Sequence, residues 1–415
     1  MTVARNQIFT ALDIGSSKVV CFIARYKSQN NLSIIGIGHQ ISQGLKAGNV
    51  VDMQATEDAI RSAIDSAERM AGEKVKDVVI GFSGGKFLSR TYSVDVAVSG
   101  HAITNSDLKK VLHKLITNEN DDYEIVHQLP VGFTIDDTVG VRDPRGMFGA
   151  RLGVKTHLVS ALTGSMQNLR LCAERGHVGV KSFSVAPYAA GLSTLVEDEL
   201  RLGATIVDMG EGTTSIAVFA DDEMVFTTSL PIGGGHITKD IARGLGTTVI
   251  DAERIKTLYG NVLPSLADDR DVLEVPVIGE FEEKNYNQVP KSLLIGIIRP
   301  RVEEILEMIR ERIDAYGSSG EVGRRVVLTG GSSQLQGIRE LSASVLDKQV
   351  RIGRPINVDG LAEATCGPAF AACAGLLLFA IKEPLPVIND VRSRSWKVSD
   401  KNRLSRVGRW IFQNF

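Results

Sequence analysis

Two short stretches of the chain place an aspartate, glycines and small hydroxyl residues between apolar runs. The first is residues 10–22 (TALDIGSSKVVCF), and the second is residues 204–219 (ATIVDMGEGTTSIAVF). Glycines in such a turn let backbone N–H groups approach a bound anion, and hydroxyls supply further donors. We therefore expect each stretch to form a strand, a phosphate-binding turn and a second strand. A plain β-hairpin is the alternative for either stretch taken alone.

The candidate phosphate ligands fall into two sets. They are Gly15, Ser16, Ser17 and Lys18 in the first turn, and Gly210, Glu211, Gly212, Thr213 and Thr214 in the second. Lys18 adds a point charge for phosphate. Asp13 and Asp208 stand at the ends of the preceding strands, where a carboxylate suits a hydrated Mg²⁺. The repetition predicts two similar halves that face one another, each with one phosphate turn and one aspartate.

A third glycine-containing turn follows a predicted strand in residues 326–338 (VVLTGGSSQLQGI). With three motifs in this order, the chain resembles the superfamily of actin, Hsp70 and sugar kinases. The resemblance implies ATP between two lobes, with the first turn on the β-phosphate side and the second on the γ-phosphate side. It also implies Mg²⁺ held through waters by Asp13 and Asp208. The adenosine contacts that it implies are Gly234, Glu253, Lys256, Gly330, Gly331, Ser332 and Gln334.

The composition bounds the class of protein. A chain of 415 residues with 43% hydrophobic content is long enough for two or more domains with sizeable cores. Its net charge of −2 argues against bulk nucleic-acid binding. The four cysteines lack CxxC spacing, which favours a reducing cytoplasm over a zinc site or a disulfide framework. The polar start argues against a signal peptide, and the apolar run 369–381 is short enough to predict a buried core helix.

Residues 85–163 predict a small α+β insert. A strand leads to a helix opened by Thr104 or Ser106, and two or three further strands follow. The segment 143–152 (DPRGMFGARL) has the composition of a solvent loop, but it is also similar to the sequence that marks the inserted subdomain of the FtsA family of bacterial cell-division proteins. Residues 236–245 (HITKDIARGL) and 252–260 (AERIKTLYG) resemble the same family.

This second resemblance implies the domain organisation. The expected fold class is α/β, an actin-like ATPase fold of two related lobes with an FtsA-type inserted α+β subdomain and a C-terminal amphipathic helix. The expected parts are residues 1–84, 164–195 and 366–381 (core of lobe 1), 85–163 (inserted subdomain), 196–232 and 292–365 (core of lobe 2), 233–291 (a small lobe that covers the nucleotide), 382–400 (linker) and 401–415 (membrane-targeting helix).

The FtsA resemblance also implies partners and a location. Such a protein polymerises with its own kind and ties filaments of the tubulin-like protein FtsZ to the cytoplasmic face of the inner membrane at the division site. Residues 233–291 would dock the C-terminal tail of FtsZ, and residues 85–163 would contact later division proteins. A sugar or metabolite kinase and a pilus-type adaptor of the same fold are the alternatives. Neither would need both the tail and the 143–152 segment.

The last residues of the chain have the pattern of an amphipathic helix with flanking basic residues. On a helical wheel the apolar side chains from Leu404 to Phe415 share one arc. A terminal helix docked on the protein's own core is the alternative to an anionic membrane surface. The expected membrane-contacting residues are Leu404, Arg406, Val407, Arg409, Trp410, Ile411, Phe412 and Phe415.

Three positions depart from the superfamily pattern. Relatives often carry a glutamate before the proline of the linking helix, where this chain has Ala186 before Pro187. With no residue to assign as general base, we expect ATP hydrolysis to be slow or absent. Glu211 stands where many relatives have glycine, so we expect its carboxylate to point away from phosphate or to act through water or the metal. Ser215 stands where relatives often carry aspartate.

Overall fold

A computed structural model describes residues 6–28, 31–98, 100–116, 122–278, 286–317 and 323–382. The expected linker beyond Lys382 and the expected membrane helix 401–415 lie outside these residues. Within the described part of the chain, no helix is both long enough and apolar enough to cross a membrane.

The first part of the chain forms three antiparallel strands, a helix and a returning parallel strand. Helix α1 follows the N-cap Asp52 and ends at Gly72, which has a left-handed φ of 67°. Its face from Ala59 to Ala67 is buried, whereas Met70 in its last turn is exposed. The elements are β1 (Ile8–Ile14), β2 (Lys18–Ser28), β3 (Asn31–Ile41), β4 (Leu45–Lys46), β5 (Asn49–Val50), α1 (Met53–Ala71) and β6 (Asp77–Phe82).

The predicted insert has a sheet of its own. Its antiparallel strands lie in the order β7, β10, β8, β9, and α2 packs Leu108, Val111 and Leu112 against one face. The helix begins after Thr104, whose N–H and hydroxyl both donate to the Asp107 carboxylate. The elements are β7 (Phe87–Ala97), α2 (Asn105–Ile116), β8 (Tyr123–Ile135), β9 (Thr138–Val141) and β10 (Arg151–Leu162).

A connecting segment then completes the first large sheet and leads to the second. Strand β11 pairs with β6, and the nearly uniform burial of α4 reflects its place between the sheets. The elements are α3 (Thr163–Arg175), β11 (Gly179–Val185), α4 (Ala186–Thr194) and α5 (Glu197–Leu202).

The second large sheet repeats the plan of the first. Strand β12 is antiparallel to β13 and parallel to β17, as β1 is antiparallel to β2 and parallel to β6. Helix α8 continues through Pro300. The elements are β12 (Ala204–Met209), β13 (Thr214–Ala220), β14 (Glu223–Leu230), α6 (Gly234–Leu245), α7 (Val249–Tyr259), β15 (Val272–Pro276), β16 (Tyr286–Pro290), α8 (Lys291–Gly317), β17 (Arg325–Thr329), α9 (Ile338–Leu346), β18 (Gln349–Ile352), β19 (Val358–Asp359) and α10 (Ala371–Ile381).

The two sheets run in the orders β11-β6-β1-β2-β3-β19 and β14-β13-β12-β17-β18. The apolar helix α10 packs on α4 and on the first sheet, where Leu376 and Leu377 are buried, as predicted for a core helix. The chain therefore returns from the second half to the first before it ends. Both aspartate turns lie at the carboxyl ends of central strands, which is where ligands bind in open α/β sheets.

Candidate functional site

Each of the two aspartate turns contains the same backbone hydrogen bond. Gly15 N donates to Lys18 O over 3.0 Å, and Gly210 N donates to Thr213 O over 2.9 Å. In each turn the aspartate lies two residues before the glycine. The strand-turn-strand predictions for both stretches are confirmed, and Lys18 and Thr213 occupy equivalent positions.

The two turns pack directly against each other although 195 positions separate Asp13 from Asp208 in the chain. A Cβ placed on Gly212 would lie 2.6 Å from Ser16 Oγ, so a larger residue there would have to displace the Ser16 side chain of the first turn. Ser16 Oγ also accepts a hydrogen bond of 2.9 Å from Gly48 N. The close approach forms one cradle from two halves of the chain, with small polar groups along it.

Asp13, Asp208 and Lys18 form an electrostatic cluster inside this cradle. Burial, together with the charge of Asp208, raises the pKa of Asp13 to about 7, and Lys18 opposes that shift. Burial likewise raises the pKa of Asp208 to about 6 against the effect of Lys18. The ionised form of both carboxyl groups is therefore disfavoured, and a bound divalent cation would stabilise it.

The donor set fits a hydrated Mg²⁺. That ion takes one or two carboxylates and completes its shell with waters and phosphate oxygens. Among the described residues no group of three or more histidine, cysteine, aspartate or glutamate side chains could enclose a metal. Two half-buried aspartates beside two glycine turns match a metal that is shared with a phosphate.

The third glycine motif packs against Asp208 through Gly330. A Cβ placed on Gly330 would lie 2.4 Å from Asp208 Oδ1, and the φ of 83° at this residue is one that side-chain-bearing residues rarely adopt. Ser332 Oγ donates to Gly210 O over 3.0 Å. Gly234 N donates to the same carbonyl over 2.9 Å. The structure thus brings the second turn, the third loop and the start of α6 together.

Three of the predicted adenosine residues meet on α6 and α7. Lys256 Nζ donates to Gly234 O over 3.2 Å and to Glu253 Oε2 over 2.6 Å. Thr238 Oγ1 accepts from the same ammonium over 2.8 Å and donates to Glu253. Only 13% of the Lys256 side chain is exposed. This network positions Lys256 beside the third loop.

Gln334 and Gly331 lie on the outer part of the third loop. Both are exposed, and Gln334 Nε2 donates to Gly331 O over 3.3 Å. Gln334 and Ser333 line a cavity of about 350 Å³ together with Pro368. No residue of either candidate phosphate turn lines this cavity.

Not every predicted ligand points into the cradle. Thr214 is buried and its hydroxyl donates to Ile232 O over 2.8 Å, which leaves Thr213 as the hydroxyl donor of the second turn. Glu211 is exposed, and a Cβ on Gly235 would lie 2.7 Å from its Oε1. The carboxylate therefore lies at the first turn of α6, where the helix dipole favours negative charge. Ser17 is exposed and its carbonyl accepts from Ser42 N over 2.9 Å.

Sequence reasoning missed two residues of the site. The first is Phe370, because the Lys18 ammonium lies over its ring, 3.6 Å from the ring centroid. Ser83 Oγ accepts from Thr213 Oγ1 over 3.2 Å. Ser83 directly follows β6, the parallel neighbour of β1, so the rule that sites lie at the carboxyl ends of such strands could have indicated it. No local signal marks Phe370.

The position before Pro187 offers no general base. Ala186 and Pro187 begin α4 and are both buried. Hydrogen-bonding side chains at the phosphate end of the cradle come instead from Ser16, Thr213 and Ser83. Hydroxyls of ordinary acidity can orient a water but do not take its proton at neutral pH.

Comparison with known proteins identifies the family. The model described as "Cell division protein FtsA" matches residues 205–375, and the model "SHS2 domain inserted in FTSA" matches residues 84–160. The cell division protein FtsA of Rhizobium meliloti (strain 1021) is 41% identical over 431 residues, which cover 99% of this chain and 96% of the relative. The FtsA proteins of Pseudomonas aeruginosa (32%, all of both chains) and Escherichia coli K12 (30%, 99% of both) also match.

Solved structures agree on the fold. The PilM–PilN type IV pilus biogenesis complex superposes with a TM-score of 0.64 at 17% identity, covering 91% of this chain and 99% of that one. MreB5 of Spiroplasma citri bound to ADP gives 0.55 at 14% identity, covering 90% and 96%. The fold is actin-like with an inserted SHS2 subdomain, and the full-length sequence matches place the chain in the FtsA family of cell-division proteins.

Proposed function

We propose that the protein binds ATP and Mg²⁺ between its two lobes. Asp13 and Asp208 would hold the metal through waters. The first turn with Lys18 would hold the β-phosphate side, and the second turn with Thr213 the γ-phosphate side. This proposal rests on one observation: the two turns pack against each other, and Gly330 packs against Asp208. Nucleotide in related folds supports it, since the Spiroplasma MreB5 structures contain ADP and AMPPNP.

Adenosine would lie between the third loop and α7, with Gln334 and Gly331 on one side and Lys256 and Glu253 on the other. Bound Mg²⁺ would supply electrostatic neutralisation of the phosphates. Lys18 and the backbone N–H groups of the turns would orient the phosphate oxygens. Because no group of the site is placed as a general base, we propose that nucleotide acts mainly by favouring one lobe arrangement.

We propose that this nucleotide site serves a membrane tether for the division machinery. In this proposal the protein polymerises on the cytoplasmic face of the inner membrane at the division site. It binds FtsZ through residues 233–291 and later division proteins through residues 85–163. Exposed apolar side chains in the first of these segments support a docking role, since Ile250 is 83% exposed and Leu266 97% exposed. Residues 401–415 would attach the protein to anionic lipid.

The nucleotide proposal is tested by equilibrium binding of ATP with and without Mg²⁺. Asp208→Asn should lower the affinity for MgATP at least tenfold, because the metal loses one of its two carboxylates. Asp198→Asn is the matched control, since Asp198 is an exposed aspartate on α5. Equal MgATP affinity in both variants would refute the proposed metal site.

The tether proposal is tested by co-sedimentation with vesicles containing phosphatidylglycerol. The intact chain should pellet with MgATP and carry purified FtsZ with it, whereas a chain truncated after Asp400 should remain in the supernatant. Vesicles of phosphatidylcholine alone are the control for the electrostatic part of binding. Equal pelleting of both chains would show that the tail is not the anchor.

A further inference from the structure

A cluster of hydroxyl groups joins the γ-phosphate turn to the other lobe. Thr213 Oγ1 donates to Ser83 Oγ over 3.2 Å. Ser229 Oγ donates to Ser83 O over 2.8 Å, and Ser215 Oγ lies 3.0 Å from Ser229 Oγ. Ser215 is fully buried. Two lobes therefore meet at one residue, Ser83, through its side chain and its carbonyl.

Ser83 also lies in the short segment that joins β6 to β7, which we call the root of the inserted subdomain. It follows the last residue of β6, and only three residues separate it from β7, the first strand of the insert. One of them, Gly84, packs so closely on Gly48 that a Cβ there would lie 2.1 Å from Gly48 Cα. A displacement of Ser83 would therefore act on the start of the insert through a short and closely packed connection.

A second contact ties the same strand of lobe 2 to the insert. Thr227 N, on β14, donates to Ser89 Oγ on β7 over 3.1 Å. Ser89 Oγ in turn lies 2.8 Å from His157 Nε2 on β10. Strand β14 thus contacts both the root of the insert, through Ser229, and its sheet, through Thr227. Movement of β14 relative to lobe 1 must alter both contacts.

We propose that Ser83 is a positioning residue that reports occupancy of the γ-phosphate position to the inserted subdomain. This inference rests on the proposed ATP site. The Thr213 hydroxyl has one proton, so it cannot donate both to Ser83 Oγ and to a phosphate oxygen. A γ-phosphate takes that proton, because a charged acceptor forms the stronger bond. Thr213 Oγ1 then keeps its contact with Ser83 only as the acceptor, so the Ser83 hydroxyl must turn and donate its own proton. With ADP, which lacks the γ-phosphate, Thr213 remains the donor.

The reversal predicts a nucleotide-specific effect of Ser83→Ala. The variant cannot donate to Thr213 and so loses the bond that strengthens the donation of Thr213 to the γ-phosphate, so the ratio of ATP affinity to ADP affinity should fall about two- to tenfold. A residue with only a structural role would change both affinities together. Ser93→Ala is the matched control, because Ser93 is exposed on β7 of the same subdomain.

Hydrogen-deuterium exchange on the full chain gives the second readout. In the wild type, ATP with Mg²⁺ should change amide exchange at β7 and β14, and ADP with Mg²⁺ should not. Ser83→Ala and Ser229→Ala should lose most of this difference while they retain the wild-type melting temperature to within a few degrees. Ser93→Ala should retain the difference.

The outcomes separate this inference from the ATP proposal. If the wild type binds neither ATP nor ADP, the proposed function fails, and the proposed role of Ser83 fails with it. If the wild type binds both but the ratio is unchanged or rises in Ser83→Ala, the proposed role of Ser83 alone is overturned. An ATP-specific exchange change that persists in Ser83→Ala overturns it as well.

Discussion

The Lys18 ammonium lies 3.6 Å from the ring centroid of Phe370, a residue 352 positions later in the chain. The contact joins the first phosphate turn to the segment that follows the third loop. Burial lowers the pKa of Lys18, and the carboxylates of Asp13 and Asp208 counteract this. The aromatic face and the two carboxylates therefore hold a cation at the phosphate side of the cradle.

Replacing Lys18 by methionine should weaken ATP and ADP binding by the same factor. A charge-assisted bond to phosphate contributes about 1.5–3 kcal/mol, which corresponds to about a ten- to hundredfold loss of affinity. The losses should match because the first turn is proposed to face the β-phosphate, which both nucleotides carry. Equilibrium dialysis with each nucleotide measures both values.

Lys181→Met is the control for Lys18→Met. Lys181 also lies over a phenylalanine, with its ammonium 5.4 Å from the ring centroid of Phe9, but at the opposite end of the first sheet from the cradle. Its loss should leave both affinities unchanged. An equal loss of nucleotide affinity in the two variants would mean that Lys18 acts through general stability and not through phosphate.

Gly330→Ala should both destabilise the protein and weaken MgATP binding. The added methyl group meets Asp208 Oδ1, and the backbone conformation itself disfavours alanine by about 1–3 kcal/mol. Gly72→Ala is the control, because Gly72 also has positive φ but has open space where its Cβ would lie. Thermal melts should show destabilisation in both variants, and binding should change in Gly330→Ala alone. Normal MgATP binding by Gly330→Ala would contradict the assigned path of the third loop.

His157 should make stability depend on pH below neutrality. Burial lowers the pKa of His157 to about 4, with the backbone of Met224 opposing the shift, whereas the unfolded chain protonates this histidine near 6.5. Between these values the unfolded state binds more protons, so the free energy of unfolding falls as the pH drops from about 6.5 towards 4, by at most about 3 kcal/mol.

Urea denaturation at pH 7.5 and pH 5 measures this effect. His157→Gln should show a smaller loss of stability on acidification than the wild type. His113→Gln, which alters an exposed histidine on α2, should behave as the wild type does. If His157→Gln loses as much stability as the wild type between the two pH values, the titrating group lies elsewhere.

Lys382→Met should weaken the contact between the two lobes. Lys382 is the last residue that the structure describes. Lys382 Nζ donates to Glu223 Oε1 over 3.2 Å and to Tyr188 Oη over 3.3 Å. Glu223 belongs to β14 and Tyr188 to α4, so one ammonium joins the two halves. The Glu223 and Lys382 side chains are 26% and 41% exposed, and screening limits the expected destabilisation to about 1 kcal/mol.

Thermal melting compares Lys382→Met with Lys74→Met. Lys74 pairs with Glu68 within one segment of the chain, and its side chain is 86% exposed, so its loss should change the melting temperature little. Glu223→Gln should reproduce the effect of Lys382→Met. Additive effects of Glu223→Gln and Lys382→Met in the double variant would show that the two residues do not act as a pair.

The sequence by itself determined the local elements and the family. Apolar runs around glycine turns predicted β1, β2, β12 and β13, and Thr104 or Ser106 was expected to open the helix that is α2. These patterns report on neighbours within a few positions, so they can be recognised without knowing the fold. Three turn motifs in order were enough to indicate an actin-like fold, and the segment 143–152 indicated the FtsA family.

Only the tertiary structure decided which of these residues face one another. It turned Thr214 away from the cradle, set Glu211 against α6, and brought Ser83 to Thr213 and Phe370 to Lys18. Each of these contacts depends on how two sheets and the core helix α10 pack. Packing is a property of the whole chain, because a side chain settles where distant strands leave it room and a partner, and no local pattern encodes that choice.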